Sequence, residues 1–163
     1  LKAINRIFQN SNYHIFSALS GKEGLTILNE KKSIGIIISD MRMPRMNGVD
    51  FLKEAKKICP DAITMIISAY SDRKNLVNAI NESHIWKYIL KPWENDDLKL
   101  SVKNACQLYE QKIENKRLLL ILENVNKKVE KLNCMLEKKN KRLRQEMKYH
   151  YPNKNKKRRY GYK

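Results

Sequence analysis

Ile34-Gly35-Ile36-Ile37-Ile38-Ser39-Asp40, followed by Met41-Arg42-Met43-Pro44-Arg45-Met46-Asn47-Gly48, is the stretch that decides the fold. A continuous β-branched run reads as a strand buried on both faces of a parallel sheet. It stops on an acidic residue, and a turn-rich loop carries the chain to the helix VDFLKEAKKI. Working outward, AITMIIS (62–68) is a second buried strand, and Trp86–Leu90 a third that Lys91-Pro92-Trp93 breaks. Upstream, residues 1–9 have apolar positions at helical spacing, and YHIFSA (13–18) reads as a short strand. Ser20 with Glu23 three residues on forms a capping box that opens a helix. Further helices are expected over 72–82 and from near Asn95. Strands alternating with helices imply βαβ units and a parallel sheet with helices on both faces. In such sheets chemistry sits at the carboxyl ends of the strands. Those ends are Asp40, Ser68 and Lys91: a carboxylate that can accept a phosphoryl group, a hydroxyl that can bond its oxygens and an ammonium that can balance its charge.

These residues resemble a family. The Asp40–Gly48 loop is similar to the phosphoacceptor loop of response-regulator receiver domains. Ser68-Ala69 resembles the family's hydroxyl followed by a small residue, and Tyr88-Ile89-Leu90-Lys91-Pro92-Trp93 its aromatic-x-x-Lys-Pro-aromatic segment. The resemblance implies a flavodoxin-like (βα)5 receiver, an α/β fold with a parallel sheet. It makes Asp40 the residue phosphorylated by a partner sensor histidine kinase. Ser68 and Lys91 would hold the phosphoryl group, and Tyr88 would be the aromatic switch that turns inward beside Ser68. Met43, Pro44, Gly48 and Pro92 would shape the loops, Gly48 through its backbone freedom, and Lys91–Pro92 is expected to be cis. Mg2+ would be bound by Asp40 and the Arg42 backbone carbonyl.

The family pattern begins with a strand ending in an acidic pair that completes the Mg2+ site. Here the sequence begins inside the helix that follows, and the first acidic residue is Glu23. Asp40 and one carbonyl are a poor Mg2+ site. The missing strand would lie mid-sheet in the 2-1-3-4-5 order, so two strand edges should be exposed. An incomplete gene is the expected cause; the alternative is a degenerate receiver that acts as a phosphorylation-independent dimerisation or interaction module.

Composition divides the chain. Of 163 residues, 34 are Lys or Arg and 17 Asp or Glu, a formal net charge of +17. Residues 1–105 hold 16 basic and 11 acidic side chains, residues 106–163 hold 18 and 6. The expected organisation is a receiver domain over 1–105, a coiled-coil signalling helix over 106–147 and a basic, disordered tail over 148–163. In the helix, Leu108, Asn115, Leu122, Val129, Leu136 and Leu143 take heptad position a, and Gln111, Leu118, Val125, Leu132, Lys139 and Glu146 take d. The seam is apolar from Leu118 to Leu136, which predicts a homodimer, with Asn115 setting a parallel register. A single amphipathic helix packing on an output domain is the competing reading.

The tail interleaves seven basic residues with four tyrosines but carries no nucleic-acid reading motif. Specific nucleic-acid binding, and a DNA-binding regulator acting through the tail, are therefore not expected. No run approaches the ~18 apolar residues of a membrane span. Cys59, Cys106 and Cys134 have neither disulfide nor zinc spacing, which suits a reducing cytoplasm. Without a catalytic triad, glycine-rich phosphate loop or metal cluster, an ordinary enzyme is not expected.

Overall fold

The computed structural model describes residues 2–31, 33–69 and 85–150. The elements are α1 (Lys2–Phe8), α2 (Gly21–Glu30), β1 (Ile36–Asp40), α3 (Gly48–Ile58), β2 (Ile63–Ala69), β3 (Lys87–Lys91) and α4 (Asn95–His150). The helix expected over 72–82 and the tail beyond His150 lie outside the described residues. The tail reading began at Lys148, whereas α4 continues through His150.

The three strands form one parallel sheet in the order β1-β2-β3, with Asp40 opposite Ile67 and Lys91 opposite Ala69. β2 is central and buried from Ile63 to Ser68, as its largely apolar run requires. One face carries α2 and α3 over a core of Leu28, Ile37, Leu52, Ala55 and Ile66. The other carries α1 and the start of α4 over Phe8, Met65, Ile67, Leu98 and Val102. This is the three-layer flavodoxin-like arrangement, followed by a long helix.

The helix starts are set by short-range chemistry. The Ser20 hydroxyl accepts from the Glu23 N–H at 3.3 Å, and the Glu23 carboxylate accepts from the Leu19 N–H at 2.7 Å. Asn47 caps α3 by accepting from the Asp50 N–H at 2.9 Å. Two close approaches need glycine. A Cβ on Gly24 would lie 2.9 Å from the Phe51 ring, and one on Gly35 would lie 2.8 Å from the Tyr109 ring.

Residues 13–18 do not form a strand. Among the described residues the sheet is β1-β2-β3, and no strand lies beside this segment to pair with it. With no ladder to join, its β propensity has nothing to act on. The segment is tied down by side chains instead. Tyr13 meets Phe8 edge to face at 5.9 Å and shares a hydrogen bond with Cys106, which raises the phenol's pKa. Phe16 and Leu19 are left exposed.

β1 also departs from the expected strand buried on both faces: its residues alternate between half-buried and buried. The Gly35 carbonyl and the Met41 N–H bond to β2, so Ile36, Ile38 and Asp40 turn their own backbone groups to the opposite edge. Along that edge runs a groove of about 310 Å3, with Phe16, Ala18 and Leu19 on one side and Ile36 and Ile38 on the other.

The chain divides into two compact units, Leu1–Asn115 and Lys116–Lys163. No helix of the described residues is long and apolar enough to cross a membrane.

Candidate functional site

Asp40 ends β1 and Lys91 ends β3, two strands that are not neighbours. The lysine side chain crosses the carboxyl end of β2, and its Nζ forms an ion pair with Asp40 Oδ2. Asp40 Oδ1 accepts the backbone N–H of Arg42 at 3.2 Å. The side chains of Asp40 and Lys91 are 42% and 39% exposed, so a partner can reach both.

The loop beneath is held mainly by backbone bonds. The Met41 N–H donates to the Ile67 carbonyl at 2.7 Å, and the Gly48 N–H donates to the Met41 carbonyl at 2.9 Å. The buried Ser39 hydroxyl donates to the Asp40 carbonyl at 3.0 Å and lies 3.7 Å from Met43 Sδ. Gly48 serves the loop differently from expectation. Its φ lies outside the left-handed region, and what it supplies is space: a Cβ would stand 2.1 Å from the Asp40 carbonyl oxygen. The left-handed conformation falls on Arg45, at φ 67°. The Lys91–Pro92 peptide is cis.

Ser68 is fully buried, and its hydroxyl donates weakly to the Ala69 carbonyl at 3.4 Å. Its side chain shares the face of Ile66, so the structure pairs Asp40 with Lys91 and leaves Ser68 behind them. Tyr88 is 46% exposed on β3, opposite Ile66 in the ladder.

The Mg2+ implied by the resemblance does not fit the residues present. Mg2+ wants an octahedral shell of oxygens, usually with more than one carboxylate. Asp40 is one carboxylate, and Lys91 already balances its charge. Among the described residues no group of three metal-ligating side chains converges.

Sequence reasoning missed Ser39, Arg45 and the groove. Ser39 carried a weak signal, as a small hydroxyl next to an acidic residue at the end of an apolar run. Arg45 carried none, because an arginine does not announce a left-handed conformation.

A flavodoxin-like sheet with an exposed carboxylate and a lysine at its strand ends defines a receiver-type signalling domain. Comparison with known proteins agrees: the family model "Response regulator receiver domain" matches residues 1–103. The chain belongs to the response regulator receiver family of two-component systems. It is 44% identical over 82 residues to the hydrogenase transcriptional regulatory protein HoxA of Bradyrhizobium diazoefficiens, covering 50% of this chain and 17% of that protein. It is 30% identical over 122 residues to the transcriptional regulatory protein HptR of Staphylococcus aureus, covering 72% of this chain and 47% of that one. A response regulator receiver domain from Clostridium thermocellum superposes with a TM-score of 0.59 at 31% identity, covering 73% of this chain and 89% of that domain. The chain thus spans less than half the length of these two curated relatives.

Proposed function

We propose that this chain is a receiver module of a two-component phosphorelay, with Asp40 as its phosphoryl acceptor. The observation that carries the reading is the Asp40–Lys91 ion pair. A carboxylate oxygen of Asp40 attacks the phosphorus of a kinase phosphohistidine. The new O–P bond forms as the P–N bond breaks, and the imidazole nitrogen keeps the electron pair and takes up a proton. The Lys91 ammonium then faces the phosphoryl oxygens instead of the bare carboxylate. Ser68 turns toward the phosphoryl group, Tyr88 moves inward, and the change passes to α4. The module works in the cytoplasm with a histidine kinase as one partner and a second copy, through α4, as the other. With Asp40 as the one carboxylate of the site, the residues present hold Mg2+ poorly, and acceptance by this chain is slow.

The test is labelling with a phosphohistidine kinase or with acetyl phosphate, followed by acid-quenched mass spectrometry. Slow incorporation at Asp40 that disappears in Asp40→Asn supports the reading. Incorporation that persists in Asp40→Asn overturns the assignment. No incorporation at all, under conditions that label an intact receiver, favours the phosphorylation-independent interaction module.

A further inference from the structure

The second unit sorts its charges by face. Residues 116–148 carry Lys or Arg at eleven positions and Glu at four, and all of these residues are exposed. In the heptad frame that puts Leu122 and Val129 at a, eight of the eleven cations fall on positions c, f and g, and none of the four glutamates does. Glu123, Glu130 and Glu137 take position b, and Glu146 takes d. At about 100° per residue, positions c and f lie roughly 160° around the helix from the a/d seam. Whatever covers the seam therefore leaves the basic face outward.

Lys127, Lys131, Lys138, Lys141 and Lys148 form one straight row on that face, because steps of three, four or seven residues separate them. Cys134 and Gln145 fill the gaps. At about 1.5 Å per residue the row is about 32 Å long. A carboxylate one helical turn away balances many surface lysines. Lys131, Lys138 and Lys148 have no Asp or Glu three or four residues to either side. Their charge is left for an anion outside the helix.

We propose that this face binds the phosphate backbone of duplex DNA without reading its sequence. The charges are complementary, and a duplex presents a phosphate for about every 1.7 Å of its axis. An α-helix with its side chains is about 10–12 Å across and fits the B-form major groove, about 12 Å wide. The corresponding groove of duplex RNA is too narrow for side chains to read. Single strands are held largely by stacking on aromatic rings, and residues 110–148 contain none. An anionic membrane would take the apolar face of the helix. The lysine row points away from that face, so a lipid surface cannot engage both. Lysine is a point charge without the planar fork of arginine, so the row follows phosphates and not base edges.

The experiment uses the full chain and a duplex DNA of about 20 base pairs, with affinity read by fluorescence anisotropy from about 50 to about 200 mM salt. One variant combines Lys131→Gln, Lys138→Gln and Lys148→Gln. A charge-matched control combines Lys116→Gln, Lys139→Gln and Arg144→Gln, which lie off the face. Gln supports a helix about as well as Lys, and circular dichroism verifies that α4 is kept in both. The parent should bind duplexes of unrelated sequence equally. Each phosphate contact contributes about 0.9 to the slope of log K against log salt, so the first variant should flatten that slope by about 3. It should also lose at least about tenfold in affinity at low salt, while the control keeps the parent's slope within about 1. Equal losses in the two variants would show that net charge alone acts, and would overturn the face. Unchanged binding by the first variant would overturn it too, because the basic residues after His150 would then carry the interaction. Tighter binding to duplex RNA, or binding to phosphatidylserine vesicles alone, would overturn the choice of DNA.

Discussion

Gly48 packs against the backbone of Asp40 so tightly that a Cβ would stand 2.1 Å from the Asp40 carbonyl oxygen. The first residue of α3 and the last residue of β1 are therefore in direct contact, and the loop between them closes on that contact. Gly48→Ala must push the two apart, because the clashing atom is backbone and has no rotamer to change. The substitution is expected to cost more than about 2 kcal/mol. It should also disturb the Asn47 cap and displace the Asp40 carboxylate from Lys91. Chemical denaturation measures the cost, and an alanine variant as stable as the parent would show that the loop relaxes freely.

Arg45 is the opposite case. Its φ of 67° places a side-chain-bearing residue in the left-handed region. That conformation costs about 1–2 kcal/mol for most residues, and glycine adopts it without the steric cost. Arg45→Gly is expected to stabilise the domain by about 0.5–1 kcal/mol after the extra flexibility of the unfolded chain is subtracted. A loss of stability on the same assay would mean that the guanidinium contributes more than the backbone strain costs.

Asp40 and Lys91 are both well exposed, which bounds what their ion pair does for the fold. Exposed pairs contribute about 0–1 kcal/mol. Lys91→Met should therefore change stability by less than about 1 kcal/mol. Its effect on phosphoryl acceptance should be far larger, because it removes the ammonium that faces the developing phosphoaspartate. Measuring both on one preparation separates the roles. A stability loss of several kcal/mol with unchanged labelling would reverse the assignment.

Lys56 offers a pH handle away from the site. Its ammonium donates to the Ala62 carbonyl at 2.5 Å, while Lys112 donates to the neighbouring Pro60 carbonyl at 3.2 Å. Burial, then the charge of Lys112, lowers the Lys56 pKa below its usual 10.5. The folded state holds this proton less tightly than the unfolded state, so ν_U exceeds ν_N between the lowered value and 10.5. Stability gains from this group as pH rises through that window. Subtracting the stability–pH curve of Lys56→Met from that of the parent should leave a positive slope just below pH 10.5. A flat or negative difference would rule the coupling out.

Much of this fold could be read where local chemistry and burial agree. Residues 62–68 form a central strand because nearly every position is apolar, and Ser20, Glu23 and Asn47 cap helices through bonds that span three residues. Asp40 and Lys91 could be read as strand ends and do meet. Residues 13–18 were misread because a strand is defined by its partner, and propensity carries no information about whether one exists. Ser68 was placed correctly on its strand, but the face it takes depends on the pleat and on the loop packed over it. The shape of the Asp40 loop depends on Arg45, whose conformation is imposed by closure between Met41 and Gly48.

The groove beside β1 makes the last prediction. Ile36, Ile38 and Asp40 direct their backbone groups toward it, and Phe16 and Leu19 stand exposed along its far wall, Leu19 at 80%. Such an edge is a template for one more strand. Adding a five-residue β-branched strand and a turn ahead of Lys2 should fill the groove. The added strand would satisfy the β1 edge and give 13–18 a ladder to join. Burying two or three large apolar side chains there is worth at least about 3 kcal/mol. Amide exchange gives the local readout. The N–H groups of Ile36 and Ile38 should slow by orders of magnitude, and those of Ile15 and Ser17, or of Phe16 and Ala18, should become protected with them as one set. Protection confined to β1, with 13–18 still exchanging freely, would show that the far wall of the groove is not a strand in waiting, and that the unladdered segment has a reason other than a missing neighbour.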